Sequence, residues 1–285
     1  MSEQIRPRTA TPKQPGLPLR LAVVMTGSLV IWLGMSYLSE HVYGGLPQLA
    51  RHALNAAVVA GLAVPLVVAA RHLLDRRSWS GLRLTGIRAG WWPFTVGALS
   101  WLVPGLAGIA LCVALGWAHI DVRATPLELL RALLLLTVLV FVFEAFPEEL
   151  VFRGYLQRNL DAAMPPWAAV AVQALLFSLF GTVLWVVSAG WGALAERAPL
   201  FLGMGVVLGC LRVITANVWG CVGYHLAFQV VAQLLLTGHY AEVAIGGADV
   251  LVPVVFGSAF VLGPTIASLL ARSPQNWRNR APDPV

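Results

Sequence analysis

Apolar residues along the chain come in blocks of membrane-spanning length, separated by short polar or arginine-bearing stretches. With about 20 residues needed per span, the blocks fall at 19–39, 53–70, 91–118, 127–147, 167–188, 199–215, 218–237 and 250–271. Each is a continuous run of Leu, Val and Ala, with none of the strict alternation that marks a strand of an outer-membrane barrel, so helices are expected and strands are not. The fold class is therefore all-α, a polytopic membrane protein of about eight transmembrane helices. Pro93 and Pro104 in the long third block predict a kink or tilt there. Gly205 and Gly209, one turn apart in the sixth, predict close approach of a neighbouring helix.

Composition agrees: 58% of the residues are hydrophobic, only 11% are charged, and the mean hydropathy is +0.77. Such a chain has no soluble stretch long enough for a separate core, so residues 19–271 form one membrane domain. The proline-rich, polar stretches 1–18 and 273–285 are expected to be disordered, with 1–18 and 272–285 as cytoplasmic tails. The first apolar block is too long for a signal-peptide core and reads as an uncleaved span. Cys112, Cys210 and Cys221 lie inside apolar blocks without metal-ligand spacing and read as core residues.

The net charge of +6 rests almost wholly on arginine. Arginines gathered in loops between apolar blocks are a topology signal and do not indicate nucleic-acid binding. The N-terminal tail, Arg71–Arg88, Arg153–Arg158, Arg212 and Arg272–Arg280 fall consistently on one side. Taken as cytoplasmic, they put both termini inside and leave the loops around Glu40, Asp121, Glu196 and Glu242 outside. An integral protein of a bacterial-type plasma membrane is expected, with the lipid bilayer and membrane-associated proteins as partners.

Ionisable groups inside spans cost about 2.5–3.5 kcal/mol even on the lower scales, and few occur here. Glu144, Glu148 and Glu149 approach the end of the fourth span, and His225 lies about two turns into the seventh. Glu149 and Arg153 are spaced i,i+4 and can pair; Glu144 and Glu148 share another face. One reading is a helix leaving the membrane with wetted charges and a snorkelling arginine. The other is a division of labour, in which Arg153 locks Glu149 and leaves Glu148 as a general base facing the bundle interior. His225 and Gln229, also i,i+4, share one face of span seven, where they either glue two helices together or hold a water or carbonyl oxygen.

The run "EELVFRGYLQRNL", with Glu148, Glu149 and Arg153 as E-E-x-x-x-R, closely resembles the first motif of the CAAX-protease and bacteriocin-processing (CPBP, or Abi) intramembrane endopeptidases. "FLGMGVVLGCLRVITANVWGCVGYHLAFQ" resembles that family's glycine-containing span, short turn and final H-x-x-x-N/D motif. The resemblance covers about 125–240. It implies an eight-helix endopeptidase whose site opens toward the cytosol and cleaves a peptide bond of a prenylated or other membrane-associated substrate. Carried over, Glu148 activates water, Arg153 steadies the pair through Glu149, and His225 with Gln229 forms the oxyanion hole. The resemblance also leaves room for zinc, with Glu148 and His225 as the ligands it would use.

Two positions depart from the family pattern. Gln229 stands where asparagine or aspartate is usual. In "QALLFSLFGTVLW" the histidine of F-x-x-x-H is replaced by Gly181, counting from Phe177, or by Leu184, counting from Phe180; Ser178 and Thr182 are the nearest polar side chains. Two functions from different classes follow: an intramembrane endopeptidase, or a catalytically silent relative serving as a membrane scaffold or binding protein. A small transporter is disfavoured, because no internal repeat is visible.

Overall fold

The computed structural model describes residues 14–272 and 275–283 and contains eight helices long and apolar enough to cross a membrane. They are α1 (Leu17–His41), α2 (Gln48–Leu74), α3 (Ile87–Ala114), α4 (Pro126–Ala163), α5 (Pro166–Ala189), α6 (Leu194–Thr215), α7 (Val218–Thr237) and α8 (Ala248–Leu270). In hydrocarbon every backbone polar group needs an internal partner, which helices supply. The protein is thus an integral, all-α membrane protein. Pro93 and Pro104 both lie within the continuous α3.

Three features differ from the sequence expectation. First, His119–Val122 (β1) and Val243–Gly246 (β2) form an antiparallel two-stranded ribbon that joins the α3–α4 and α7–α8 connections. Each strand is only four residues long and its partner lies far away in sequence, so no local pattern announces it.

Second, α4 continues well past residue 147. Its start is fixed by a capping box, with the Glu128 amide donating to Thr125 Oγ1 and the Thr125 amide donating to Glu128 Oε2. It then passes through wide π-type turns at Phe141–Ala145 and Leu150–Leu156. Pro147 cannot donate an amide and its ring crowds the preceding turn; the wide turn before it accommodates the ring without ending the helix. The glutamate pair consequently sits inside a long helix and not at its end.

Third, the C-terminal segment 275–283 is packed onto the bundle. The Ala281 amide donates to the Asp161 carbonyl at 2.9 Å, Arg158 Nη2 donates to the Pro282 carbonyl at 2.5 Å, and Asp283 takes two bonds from Arg71 at 2.5 and 2.7 Å. Residues 1–13 of the expected N-terminal tail lie outside the described residues; Leu17 and Pro18 already belong to α1.

The arginine-rich end of the bundle is held by a buried polar hub on Asp75. Its carboxylate receives Arg20 at 3.0 Å, Arg71 at 3.0 Å, Tyr155 Oη at 2.9 Å and Asn159 Nδ2 at 3.1 Å. The starts of α1 and the ends of α2 and α4 are thereby tied together. Burial acts to raise Asp283, but the hydrogen bonds and charges of Arg71 and Arg158 outweigh it and hold its carboxyl below the usual range. A depressed folded-state value means that tail docking is fully stabilised above the ordinary carboxyl value of about 3.9 and is lost as pH falls through the lower folded value. Protease protection of 275–283 should therefore persist at mildly acidic pH, and Asp283→Asn should abolish it at neutral pH. Loss of protection already at pH near 6 would contradict this.

Helices approach closely where glycines remove side chains. A Cβ on Gly97 of α3 would run into the Gly220 carbonyl of α7, and Gly205 of α6 lies against Ala174 of α5. There the Gln173 side-chain amide donates to the Gly205 carbonyl at 2.6 Å. The expected role of the Gly205–Gly209 spacing is met.

Candidate active site

Between α4, α5, α6, α7 and α8, with Trp32 of α1 and His52 and Asn55 of α2 also in its wall, lies a cavity of about 990 Å³. Glu144 and Glu148 reach it from α4, and His225, Gln229 and Gln233 reach it from α7. The spacing explains the stripe: residues 225, 229 and 233 recur every four positions and share one helix face. Gln233 extends the pattern by one further turn, and its amide donates to Glu144 Oε1 at 3.2 Å. It was legible from Gln229 by spacing alone and was missed.

The two adjacent glutamates have different surroundings. Glu149 is fully buried; Arg153 Nη1 donates to its Oε1 at 2.9 Å, as the i,i+4 spacing predicts. His225 Nδ1 lies 2.8 Å from the same oxygen. The guanidinium of Arg153 sits 4.3 Å from the ring centroid of Phe177, whose π-face favours a cation. Glu148 lines the cavity, and among the described residues its side chain makes no hydrogen bond. The histidine therefore contacts Glu149 directly, and shares only the cavity with Glu148.

An ionised Glu149 can only accept, so Nδ1 of His225 carries the proton in that bond. Glu149 thus fixes the ring's orientation, and in the imidazolium form Nε2 is a second donor. Near the end of the cavity, the position of the absent histidine is filled by another side chain. A Cβ on Gly181 would come within 2.6 Å of the Phe201 ring. Of the nearby polar groups, Ser178 donates to the Ala198 carbonyl at 2.9 Å, and Thr182 Oγ1 is buried without a hydrogen-bond partner.

This packing makes a prediction. Gly181→His alone should overpack the site and cost about 1–3 kcal/mol, read as a lower melting temperature in detergent. Gly181→His with Phe201→Ala should recover most of that loss. A single variant as stable as the wild type would refute the packing.

Zinc does not fit these residues as a tetrahedral site. Among the described residues no three His, Cys, Asp or Glu side chains converge as a ligand group. Glu149 Oε1 is engaged by Arg153 and His225, and the remaining pair, Glu148 and His225, falls short of the three protein ligands of catalytic zinc.

The cavity runs from His225 to His52, Arg197 and His239, which lie at the end of the bundle opposite the arginine-rich one. An arginine-rich cytoplasmic end and a site opening to the cytosol, both expected from sequence, therefore exclude one another.

No curated protein matches the chain. Residues 130–231 match the family model described as type II CAAX prenyl endopeptidase Rce1-like. That segment holds Glu144, the glutamate pair, Arg153, Gly181, His225 and Gln229, which are the residues carrying the CPBP resemblance. Over this segment the chain is similar to the CAAX-protease family of membrane proteases.

Proposed function

We propose that the protein is an intramembrane endopeptidase that hydrolyses a peptide bond of a membrane-associated protein or peptide. The observation that carries this reading is the convergence of Glu148, His225 and Gln229, from two helices, on one cavity large enough for a peptide, while Glu149 is tied down beside them.

Glu148 takes a proton from a water as its oxygen bonds to the scissile carbonyl carbon. The carbonyl oxygen becomes an oxyanion, which accepts hydrogen bonds from the Gln229 amide and from Nε2–H of His225 in its imidazolium form, held through Nδ1–H by Glu149. The C–N bond then breaks, and Glu148 returns the proton to the leaving amine. Products are a carboxylic acid and an amine, and the acid's proton then passes to the amine to leave carboxylate and ammonium; no metal enters the sequence. Glu149 and Arg153 act by positioning His225.

Phe201 at Gly181 favours the second reading, a silent relative that binds membrane proteins in the same cavity. Purified protein in detergent, offered prenylated and unprenylated membrane-anchored peptides, separates the two. The endopeptidase reading expects cleavage that is lost in Glu148→Ala and strongly reduced in His225→Ala. Cleavage that survives Glu148→Ala removes the assignment, and no cleavage of any peptide supports the binding protein.

A further inference from the structure

We propose that the cavity is entered from the extracytoplasmic side, so that its substrate is an apolar polypeptide segment exposed on that face or in the outer leaflet. The substrate half rests on the endopeptidase reading; the sidedness does not.

The direction of the cavity follows from its walls. His225 lies seven residues from the α7 start and twelve from its end, about 10 Å and about 18 Å at 1.5 Å per residue. The cavity extends along the longer path only, reaching Thr237 at the end of α7, His239 beyond it, His52 in the first turns of α2 and Arg197 in the first turn of α6. On the shorter path the bundle is closed. Arg153, Tyr155, Arg212 and Tyr224 are all buried there, and Gly97 meets the Gly220 backbone.

Charge assigns the two ends. The mouth end carries four arginines, Arg51, Arg123, Arg131 and Arg197, outnumbered by the acids of the same end, among them Glu40, Asp121, Glu196 and Glu242. Every other described arginine except Arg153 lies at the closed end. Short loops rich in arginine stay in the cytoplasm, which puts the closed end inside and the mouth outside.

The walls also define the occupant. Trp32, Phe180, Phe201, Phe256 and Phe260 make the shaft aromatic, with carboxylate, imidazole and amide groups at its floor. A shaft of about 18 Å holds roughly five extended residues at about 3.3 Å each. A segment with about five apolar residues before the scissile bond is the class of substrate that fits, arriving from outside.

The test uses single cysteines and a membrane-impermeant maleimide on intact spheroplasts; the native cysteines lie within α3, α6 and α7, and the unsubstituted protein serves as the blank. Glu242→Cys, next to the ribbon at the mouth end, should label without permeabilisation, and Arg278→Cys only after it. Asp121→Cys on the facing strand repeats the reading should the first variant fold poorly. Labelling of Arg278→Cys in intact spheroplasts, with Glu242→Cys protected, overturns the sidedness. Apolar membrane-anchored peptides added outside should be cleaved without permeabilisation, and cleavage only after it overturns the substrate class. If no peptide is cleaved on either side while the labels hold, the endopeptidase reading fails and the sidedness stands.

Discussion

Glu148→Gln is expected to lower peptide hydrolysis by about 10²–10⁴-fold, the usual contribution of a positioned acid/base group, while leaving melting temperature and substrate affinity nearly unchanged. The substitution keeps the side chain's size and removes its ability to take a proton. Glu148 lines the cavity and makes no hydrogen bond among the described residues, so little of the fold depends on its charge. Glu149→Gln is expected to behave differently. It weakens the hydrogen bonds to Arg153 and His225, both buried, and so should lower stability together with activity. Steady-state kinetics and thermal melts on the two variants make the comparison. Equal stability losses in both would remove the division of roles between the adjacent carboxylates.

Asp75→Ala should produce the largest stability loss of any single substitution at the arginine-rich end, about 3–5 kcal/mol, because breaking a buried ion pair leaves uncompensated charge. Asp75 is fully buried and receives four side chains from α1, α2 and α4. Without it Arg20 loses its carboxylate, and Arg71 retains only Asp283. Asp75→Asn should fall between wild type and alanine, since an amide still accepts from Tyr155. The free energy of unfolding in mixed detergent reads the effect, and a change below about 1 kcal/mol would mean that the hub behaves as a surface pair.

The eight spans were legible because burial in lipid demands long apolar runs, and these stand out whatever the helices pack against. The continuation of α4 was not legible. Its charges look like an exit from the membrane until their partners are known, and those partners are remote: Asn159 bonds Asp75 and Arg158 bonds the C-terminal segment. The i,i+4 pairing of Glu149 with Arg153 is local and could be read directly. The contact of Glu149 with His225 spans 76 positions and depends on how α4 and α7 rotate against each other. The loss of the family histidine was visible in the sequence at Gly181. That Phe201 fills its place depends on the close packing of α5 on α6 and was not. The opening direction could not be read either: the motif marks the floor of the cavity, and only the wall from Phe180 to Arg197 and His239 shows where it leads.

The central claim is that Glu148 activates a water and does not itself attack the substrate. A single turnover of excess protein with a membrane-anchored peptide in isotopically labelled water tests it most directly, by mass spectrometry of both product and protein. The general-base account predicts heavy oxygen in the new carboxyl terminus from the first turnover and none in Glu148. Heavy oxygen in the Glu148 carboxylate, an unlabelled first product, or no product at all would contradict it.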